Sequence, residues 1–254
     1  MTSLRGVLFA AIIGLAAVAP AVAGQFSPEQ TTEIQAIIKD YLIKNPEVLR
    51  DAITALDAKE KAAEAETRAK ALARLSGDIA GGPDGFAVGN PDGKITLVEF
   101  FDYNCGYCRR SIPDVARLMK DNPDLKVVLR DFPILSPASV DAAIIAGAAH
   151  RQLSADKFWD FHKSLLGSHG LVGKEQAMAS AKALGVDMAK LEKDAADPKV
   201  RAAIQHTDSM AKDLNLNGTP TFVIGGDVEV GAVGYDQLQA DITNIRKCGK
   251  ALCS

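Results

Sequence analysis

Aromatic side chains are scarce, at 6% of the 254 residues, and there is a single tryptophan. Basic charge is not in excess: 29 Lys and Arg stand against 32 Asp and Glu, a formal net charge of −3 with no basic stretch, so no nucleic-acid partner is expected. After the N-terminus no segment is long and apolar enough to span a bilayer. Histidines number four, His150, His162, His169 and His206, scattered on helical patterns or their ends, and each is assigned to surface or ordinary packing. Cysteines also number four, Cys105, Cys108, Cys248 and Cys253, without the repeated C-x-x-C of a structural zinc site. No cofactor and no metal ligand set are expected.

What is present begins with an export signal. Arg5 supplies a positive start, "GVLFAAIIGLAAVAP" is apolar, and Ala21-Val22-Ala23 fits the small-x-small cleavage rule. Residues 1–23 therefore read as a cleaved signal peptide. Export to an oxidising compartment permits disulfides, and sequence proximity pairs Cys105 with Cys108 and Cys248 with Cys253. The second pair reads as a small closed loop fastening the tail, with free or intermolecular cysteines and a second redox pair as alternatives.

Residues 24–76 read as a helical stalk. Ser27-Pro28-Glu29-Gln30 is a capped helix start, and Ile34, Ile37, Ile38, Tyr41 and Leu42 follow at helical spacing. Asn45-Pro46-Glu47 restarts a helix carrying Val48, Leu49, Ile53 and Leu56, then an Ala-rich charged run with Glu64–Arg68 and Glu66–Lys70 four apart. Such an apolar stripe needs a partner, either its own domain or other copies of the chain, and oligomerisation is the preferred expectation. The breakers Ser76-Gly77-Asp78 and Gly81-Gly82-Pro83-Asp84-Gly85 mark a linker over 77–88.

Residues 89–254 read as an α/β domain. Ile95–Phe101 is a buried strand. "RRSIPDVARLMKD" is a helix, kinked or interrupted near Pro113. Leu125–Phe132 is a second strand. Helical patterns fill an insertion at about 134–214. Thr221–Ile224 and Val228–Val230 form a hairpin, and "GYDQLQADITNIRK" is a closing helix. The C-x-x-C pair thus sits where a strand hands over to a helix. A helix N-terminus favours an anion, so Cys105 is the attacking thiolate and Cys108 the resolving thiol.

"VEFFDYNCGYC" together with Gly218-Thr219-Pro220-Thr221-Phe222 resembles the thioredoxin superfamily in its DsbA-like branch, over roughly residues 89–247. The resemblance implies a thioredoxin-like fold with an inserted helical domain. It implies a cis-proline at Pro220 opposite the cysteines, leaving backbone beside Cys105 for a substrate segment. It also implies a proton-relay role for Glu99 toward Cys108. Asp102, Asn104 (as a helix cap), Arg109 and Arg110 are weaker candidates. Gly106-Tyr107 departs from the strongly oxidising Cys-Pro-His-Cys pattern, and Thr219 before Pro220 is more like the disulfide isomerases. With the N-terminal extension, the chain resembles the suppressor-of-copper-sensitivity C protein family. That resemblance implies a periplasmic, trimeric disulfide isomerase acting on misfolded or reduced exported proteins, with a DsbD-type membrane thiol reductase as partner. Dithiol oxidase activity, or copper binding through the reduced pair, are the alternatives. A holdase would tolerate loss of the cysteines and explains the two motifs less well.

Overall fold

The computed structural model describes residues 26–82 and 85–253; the expected signal peptide lies outside them. Two compact units are distinguished, Met1–Glu60 and Lys61–Ser254. Helix α1 (Pro28–Lys44) opens with the expected capping box: Ser27 accepts from the Gln30 amide, and the Gln30 side chain accepts from the Ser27 amide. Helix α2 (Pro46–Ala80) restarts at the Asn45-Pro46 step. Within the first unit Ile37, Ile38, Tyr41, Ile43, Leu49, Ile53 and Leu56 are all exposed.

The second unit is built on one mixed sheet. Its strands β1 (Phe86–Gly89), β2 (Ile95–Phe101), β3 (Leu125–Asp131), β4 (Thr221–Ile224) and β5 (Asp227–Val230) lie in the order β1-β3-β2-β4-β5. Only β2 and β3 run parallel; the other pairings are antiparallel. The parallel step needs a crossover, and α3 (Gly106–Asp121) provides it, passing through Pro113 without interruption. Between β3 and β4 come α4 (Pro137–His150), α5 (Ala155–Gly167), α6 (Lys174–Ala183), α7 (Met188–Ala195) and α8 (Pro198–Asp213); α9 (Tyr235–Cys248) closes the chain. The central strand β2 is covered on both faces, which is why its sequence is a nearly unbroken apolar run. Leu97 and Phe101 face a core shared with both cysteines, α3, α5 and α9. Val98 and Phe100 face a second core made with α2 and the end of α8.

Two elements were not legible beforehand. β1 is four residues long between glycine-rich segments, and α7 is a two-turn helix capped by Asp187. The end of α2 also differs. Ser76-Gly77-Asp78 lies inside the helix, not at its boundary, because tertiary contacts outweigh the breaker signal. Ala71, Leu72, Leu75 and Ile79 are buried on the sheet. Arg130 on β3 donates to the carbonyls of Asp78, Ile79 (3.2 Å) and Gly81 (2.9 Å), groups that a helix end leaves without partners. The last turns assigned to a stalk are therefore part of the sheet's second core.

At the opposite end of the sheet from the C-terminus of β2, Cys248 and Cys253 form a disulfide. The loop they close seats buried Ala251 against the β4–β5 turn, where its amide donates to the Gly225 carbonyl at 3.2 Å. Gly225 has φ +55°, and a Cβ there would lie 2.7 Å from the Ala251 amide and the Ile245 side chain. Gly77, by contrast, is a helical position with open space around it. Gly225→Ala is expected to lower stability by about 1–3 kcal/mol, and Gly77→Ala to raise it by up to about 1 kcal/mol. Urea unfolding of the two variants beside the parent protein checks both signs.

Candidate functional site

The site is assembled at the C-terminal end of β2. Asp102 is buried and accepts two backbone hydrogen bonds, from Asn104 N at 2.8 Å and Leu135 N at 2.9 Å. Its own carbonyl accepts from Cys105 N at 2.9 Å. These bonds turn the chain out of the strand and into α3. Asn104 does not cap that helix. Its side chain instead bridges to the inserted helices, donating to Ser139 Oγ and the Val172 carbonyl and accepting from Val172 N at 2.7 Å. The cap is Cys105 itself, whose sulfur accepts from the Cys108 amide at 3.3 Å. Sulfur thus takes the place that a serine or aspartate oxygen fills at most helix starts.

Cys105 and Cys108 are both free thiols, and both are buried. Opposite them the Thr219–Pro220 bond is cis, and the Thr219 carbonyl lies 3.1 Å from Cys105 Sγ, close enough to accept from the thiol. The Pro220 carbonyl is already taken by Gly231 N at 2.8 Å. The two sulfurs are tuned apart. Hydrogen bonding from the Cys108 thiol, helped by the Thr219 side chain and the Cys108 and Tyr107 amides, outweighs burial and pulls Cys105 down to about 6. Burial, reinforced by the Cys105 hydrogen bond and the Glu99 charge, pushes Cys108 far above the usual thiol range. At neutral pH the pair holds one thiolate and one thiol, as an attacking and a resolving cysteine require.

Glu99 lies six residues before Cys105 on β2, on the face of Leu97 and Phe101. It is fully buried, and neither carboxyl oxygen has a hydrogen-bond partner. Burial first, then the Cys105 charge, raises it to about 8, so it carries a proton at neutral pH. The structure thus brings Glu99, Cys105, Cys108, Thr219 and Pro220 to one place. Arg109 and Arg110 are engaged elsewhere. Arg109 donates to the Leu166 and Ser168 carbonyls at the end of α5, and the Arg110 guanidinium sits 4.1 Å over the Tyr107 ring. Of the histidines, His162 is buried against Phe101, Tyr103 and Trp159. Burial lowers it to about 3, which keeps it neutral.

Sequence reasoning missed the hydrophobic rim. Tyr107 projects from the cysteine pair, Leu171 adjoins the Asn104-held Val172, and Ile134 and Leu135 adjoin the Asp102-held turn; all four are exposed. Leu171 and Leu135 were findable only as large apolar residues in polar loops. The residues at this end of the sheet can therefore present an apolar surface around a nucleophilic sulfur.

Two predictions follow from these environments. The Cys105 thiolate is expected to titrate with a midpoint near 6, read by absorbance at about 240 nm, and Cys105→Ser to abolish that transition. Glu99 supplies a test through stability. Its folded value of about 8 lies above its ordinary 4.5, so the native state holds a proton that the unfolded chain releases between those values. Stability from this group is full below the unfolded value and is lost as pH rises through the folded one. Glu99→Gln removes that loss. Its melting temperature is expected to exceed the parent's at about pH 9, with the difference shrinking toward about pH 4.5. An equal offset at every pH refutes the assignment.

Similarity to known proteins agrees with this geometry. Residues 30–63 match the copper resistance protein ScsC N-terminal domain. A thioredoxin-like oxidoreductase from Silicibacter pomeroyi DSS-3 is 38% identical with a TM-score of 0.61, covering 65% of this chain and 94% of that one. Proteus mirabilis ScsC in a transitional conformation is 27% identical with a TM-score of 0.62, covering 86% of this chain and 98% of that one. Among curated proteins, the Na(+)/H(+) antiporter NhaA 1 of Salinispora arenicola is 28% identical over 163 residues, covering 64% of this chain. This chain spans only about a quarter of that antiporter's length, 25%. No helix among the described residues is long and apolar enough to cross a membrane. Residues 96–243, more than half of the sequence, match the DSBA-like thioredoxin domain, and the chain belongs to that family.

Proposed function

We propose that the protein is a periplasmic thiol–disulfide oxidoreductase that works as a disulfide isomerase on exported proteins. The observation that carries this reading is the Cys105 sulfur, held by the Cys108 amide at a helix start and facing the cis Thr219–Pro220 step. The Cys105 thiolate attacks a substrate disulfide. A Cys105–substrate bond forms, the substrate S–S bond breaks, and a substrate thiolate leaves. That thiolate attacks another substrate disulfide, and a substrate thiolate finally displaces Cys105; no net electrons move. When a mixed disulfide stalls, Cys105 no longer bears a charge, Glu99 ionises more readily, and Cys108 gives its proton to that carboxylate and attacks the Cys105 sulfur. The Cys105–Cys108 bond forms, the substrate leaves reduced by two electrons, and a DsbD-type membrane reductase restores the dithiol. Tyr107, Leu171, Ile134 and Leu135 hold apolar segments of unfolded substrates beside the sulfur.

Isomerisation is favoured over donation of a disulfide because several sites on one assembly offer a bound chain repeated attack at high effective concentration. The exposed apolar side chains of the unit Met1–Glu60, from Ile37 to Leu56, support a homotrimer formed through the stalk of residues 24–76, with the catalytic domain at 89–254. Copper handling is a second reading, supported by the ScsC-type match over residues 30–63. Two reduced thiolates at Cys105 and Cys108 would be soft ligands for Cu(I).

The test is reactivation of scrambled ribonuclease by the reduced protein. Three forms are compared per site: the chain from Gly24, the chain from Lys61, and Cys105→Ser in the longer chain. Recovery that is strong in the first, weaker in the second and absent in the third is expected. Rapid oxidation of reduced ribonuclease by the preoxidised protein, without reshuffling, overturns the isomerase assignment in favour of an oxidase.

A further inference from the structure

Two apolar loops flank Cys105 without belonging to its helix. Ile134 and Leu135 lie between β3 and α4, Leu171 lies between α5 and α6, and all three side chains are exposed. The first loop, with Pro133, Pro137 and Val140, lines a surface hollow of about 620 Å³. Exposed apolar side chains grouped at a reactive centre mark an interaction surface.

Both loops hang from the turn that precedes Cys105. Asp102 holds the first through the Leu135 amide at 2.9 Å. Asn104 holds the second, accepting from the Val172 amide at 2.7 Å and donating to the Val172 carbonyl at 2.8 Å. The same Asn104 nitrogen donates to Ser139 Oγ at 2.9 Å. Ser139 in turn closes the first loop, its amide and hydroxyl lying 3.1 and 3.0 Å from the Ser136 hydroxyl. One side-chain amide therefore joins the two loops. Behind it they abut: a Cβ on Gly173 would lie 3.4 Å from Ala138 Cβ. Arg109 pins the other end of the second loop through the Leu166 and Ser168 carbonyls, which leaves His169, Gly170 and Leu171 exposed between the two anchors. An asparagine side chain offers two N–H donors and one carbonyl, and Asn104 engages all three in these bonds. The Cys105 sulfur is served by other groups, the Cys108 amide and the Thr219 carbonyl. Asn104 thus holds walls in place and does not touch the reacting atom.

We propose that Asn104 sets the selectivity of Cys105 for disulfides flanked by large apolar residues, by fixing Leu171 and Ile134–Leu135 as the two walls of one substrate groove. This rests on the thiol–disulfide reading above. The occupant is a segment of unfolded polypeptide, because both walls are continuous with the Cys105 turn and a chain that reaches the sulfur must lie along them. Cysteine is among the residues most often buried in folded proteins. A disulfide whose apolar neighbours are still open therefore marks an unfolded or wrongly paired chain, the substrate an isomerase has to choose. Asn104 is a positioning residue in this scheme.

The experiment is stopped-flow reaction of the full reduced chain with two peptides. They are alike except that leucines or serines flank a central cysteine carried as its mixed disulfide with 5-thio-2-nitrobenzoate. The Cys105 thiolate attacks the peptide sulfur. The Cys105–peptide bond forms, the peptide–aryl S–S bond breaks, and the aryl thiolate leaves with the electron pair; its absorbance gives the rate constant. The leucine-to-serine rate ratio is divided by the one glutathione gives, which removes intrinsic differences between the peptides. A ratio of about ten is expected for the parent, falling below about three in Leu171→Ser and in Asn104→Ala. Altered reactivity of the sulfur changes both rates alike and cancels. A parent ratio near one, or a ratio unchanged in either variant, overturns the proposal. Asn104→Asp is isosteric and sets an acceptor against the Val172 carbonyl, so it takes the alanine variant's place if that one unfolds. Absence of aryl thiolate release from either peptide by the parent would instead defeat the thiol–disulfide reading.

Discussion

The hydrogen bond from the Cys108 amide to the Cys105 sulfur is the constraint around which the domain is organised. For one sulfur to serve as both helix cap and nucleophile, α3 must begin directly after β2. Asp102 enforces that handover by holding the amides of Asn104 and Leu135. Because β2 is the middle strand, β4 lies beside it, and the chain entering β4 brings Thr219 to within 3.1 Å of the sulfur. The inserted helices are tied to the same point. Asn104 holds Val172 and Ser139, and Arg109 holds the end of α5. A displacement of the insertion therefore acts on the loop that sets the cap, so the helical insertion and the redox pair are mechanically one site.

Keeping a thiolate in a buried place has an energetic counterpart. Glu99, Tyr103, Asp131 and His162 are all buried ionisable groups, and each is driven toward its neutral form by burial. A core chosen for stability alone would hold apolar residues at these positions, since unpartnered buried polar atoms are destabilising. Here the orphan oxygens of Glu99 and Tyr103 lie on the cysteine side of the sheet, whereas the opposite core of Val98, Phe100, Val128 and Val223 is apolar. The asymmetry follows from charge. The Cys105 charge acts on Glu99, and the Glu99 charge in turn acts on Cys108.

Much of this was legible in the sequence, and what was not has physical causes. The nearly unbroken apolar run Ile95–Phe101 reads as a strand buried on both faces, and an acidic Glu99 inside it stood out for that reason. The Ser27 capping box and the restart at Pro46 depend on local chemistry, and both were readable. Cys105 and Pro220 are 115 positions apart in number, yet each sat in a recognisable local setting, so their meeting was expected from the family resemblance. Asn104 looked like a cap because its neighbours are local, but its partners Ser139 and Val172 are distant in sequence and invisible to any local pattern. Gly77 looked like a stop because propensity favours one; burial of Ile79 and the Arg130 donors override it. Asp131 gave no signal at all. Its meaning comes from register with Phe101 and from a cavity whose walls belong to β1, α4 and α8.

The end of β3 shows how one strand can serve both cores. Successive side chains point to opposite faces, so Arg130 and Asp131 cannot share an environment. Arg130 turns to the α2 face and gathers the carbonyls that end that helix, where a fixed positive charge opposes the negative end of the helix dipole. Asp131 turns to the cysteine face, where burial and the Asp102 charge favour its protonated form. A one-residue slip of β3 against β2 would exchange them, placing a carboxyl at the helix end and a guanidinium beside Tyr103. Such a slip would set a carboxylate against the negative end of the α2 dipole and leave a guanidinium buried on the cysteine face. The parallel pairing from Ile95–Leu125 to Phe101–Asp131 therefore sets the place of two ionisable groups along with the alternation of apolar residues: Arg130 at the end of α2 and Asp131 on the cysteine face.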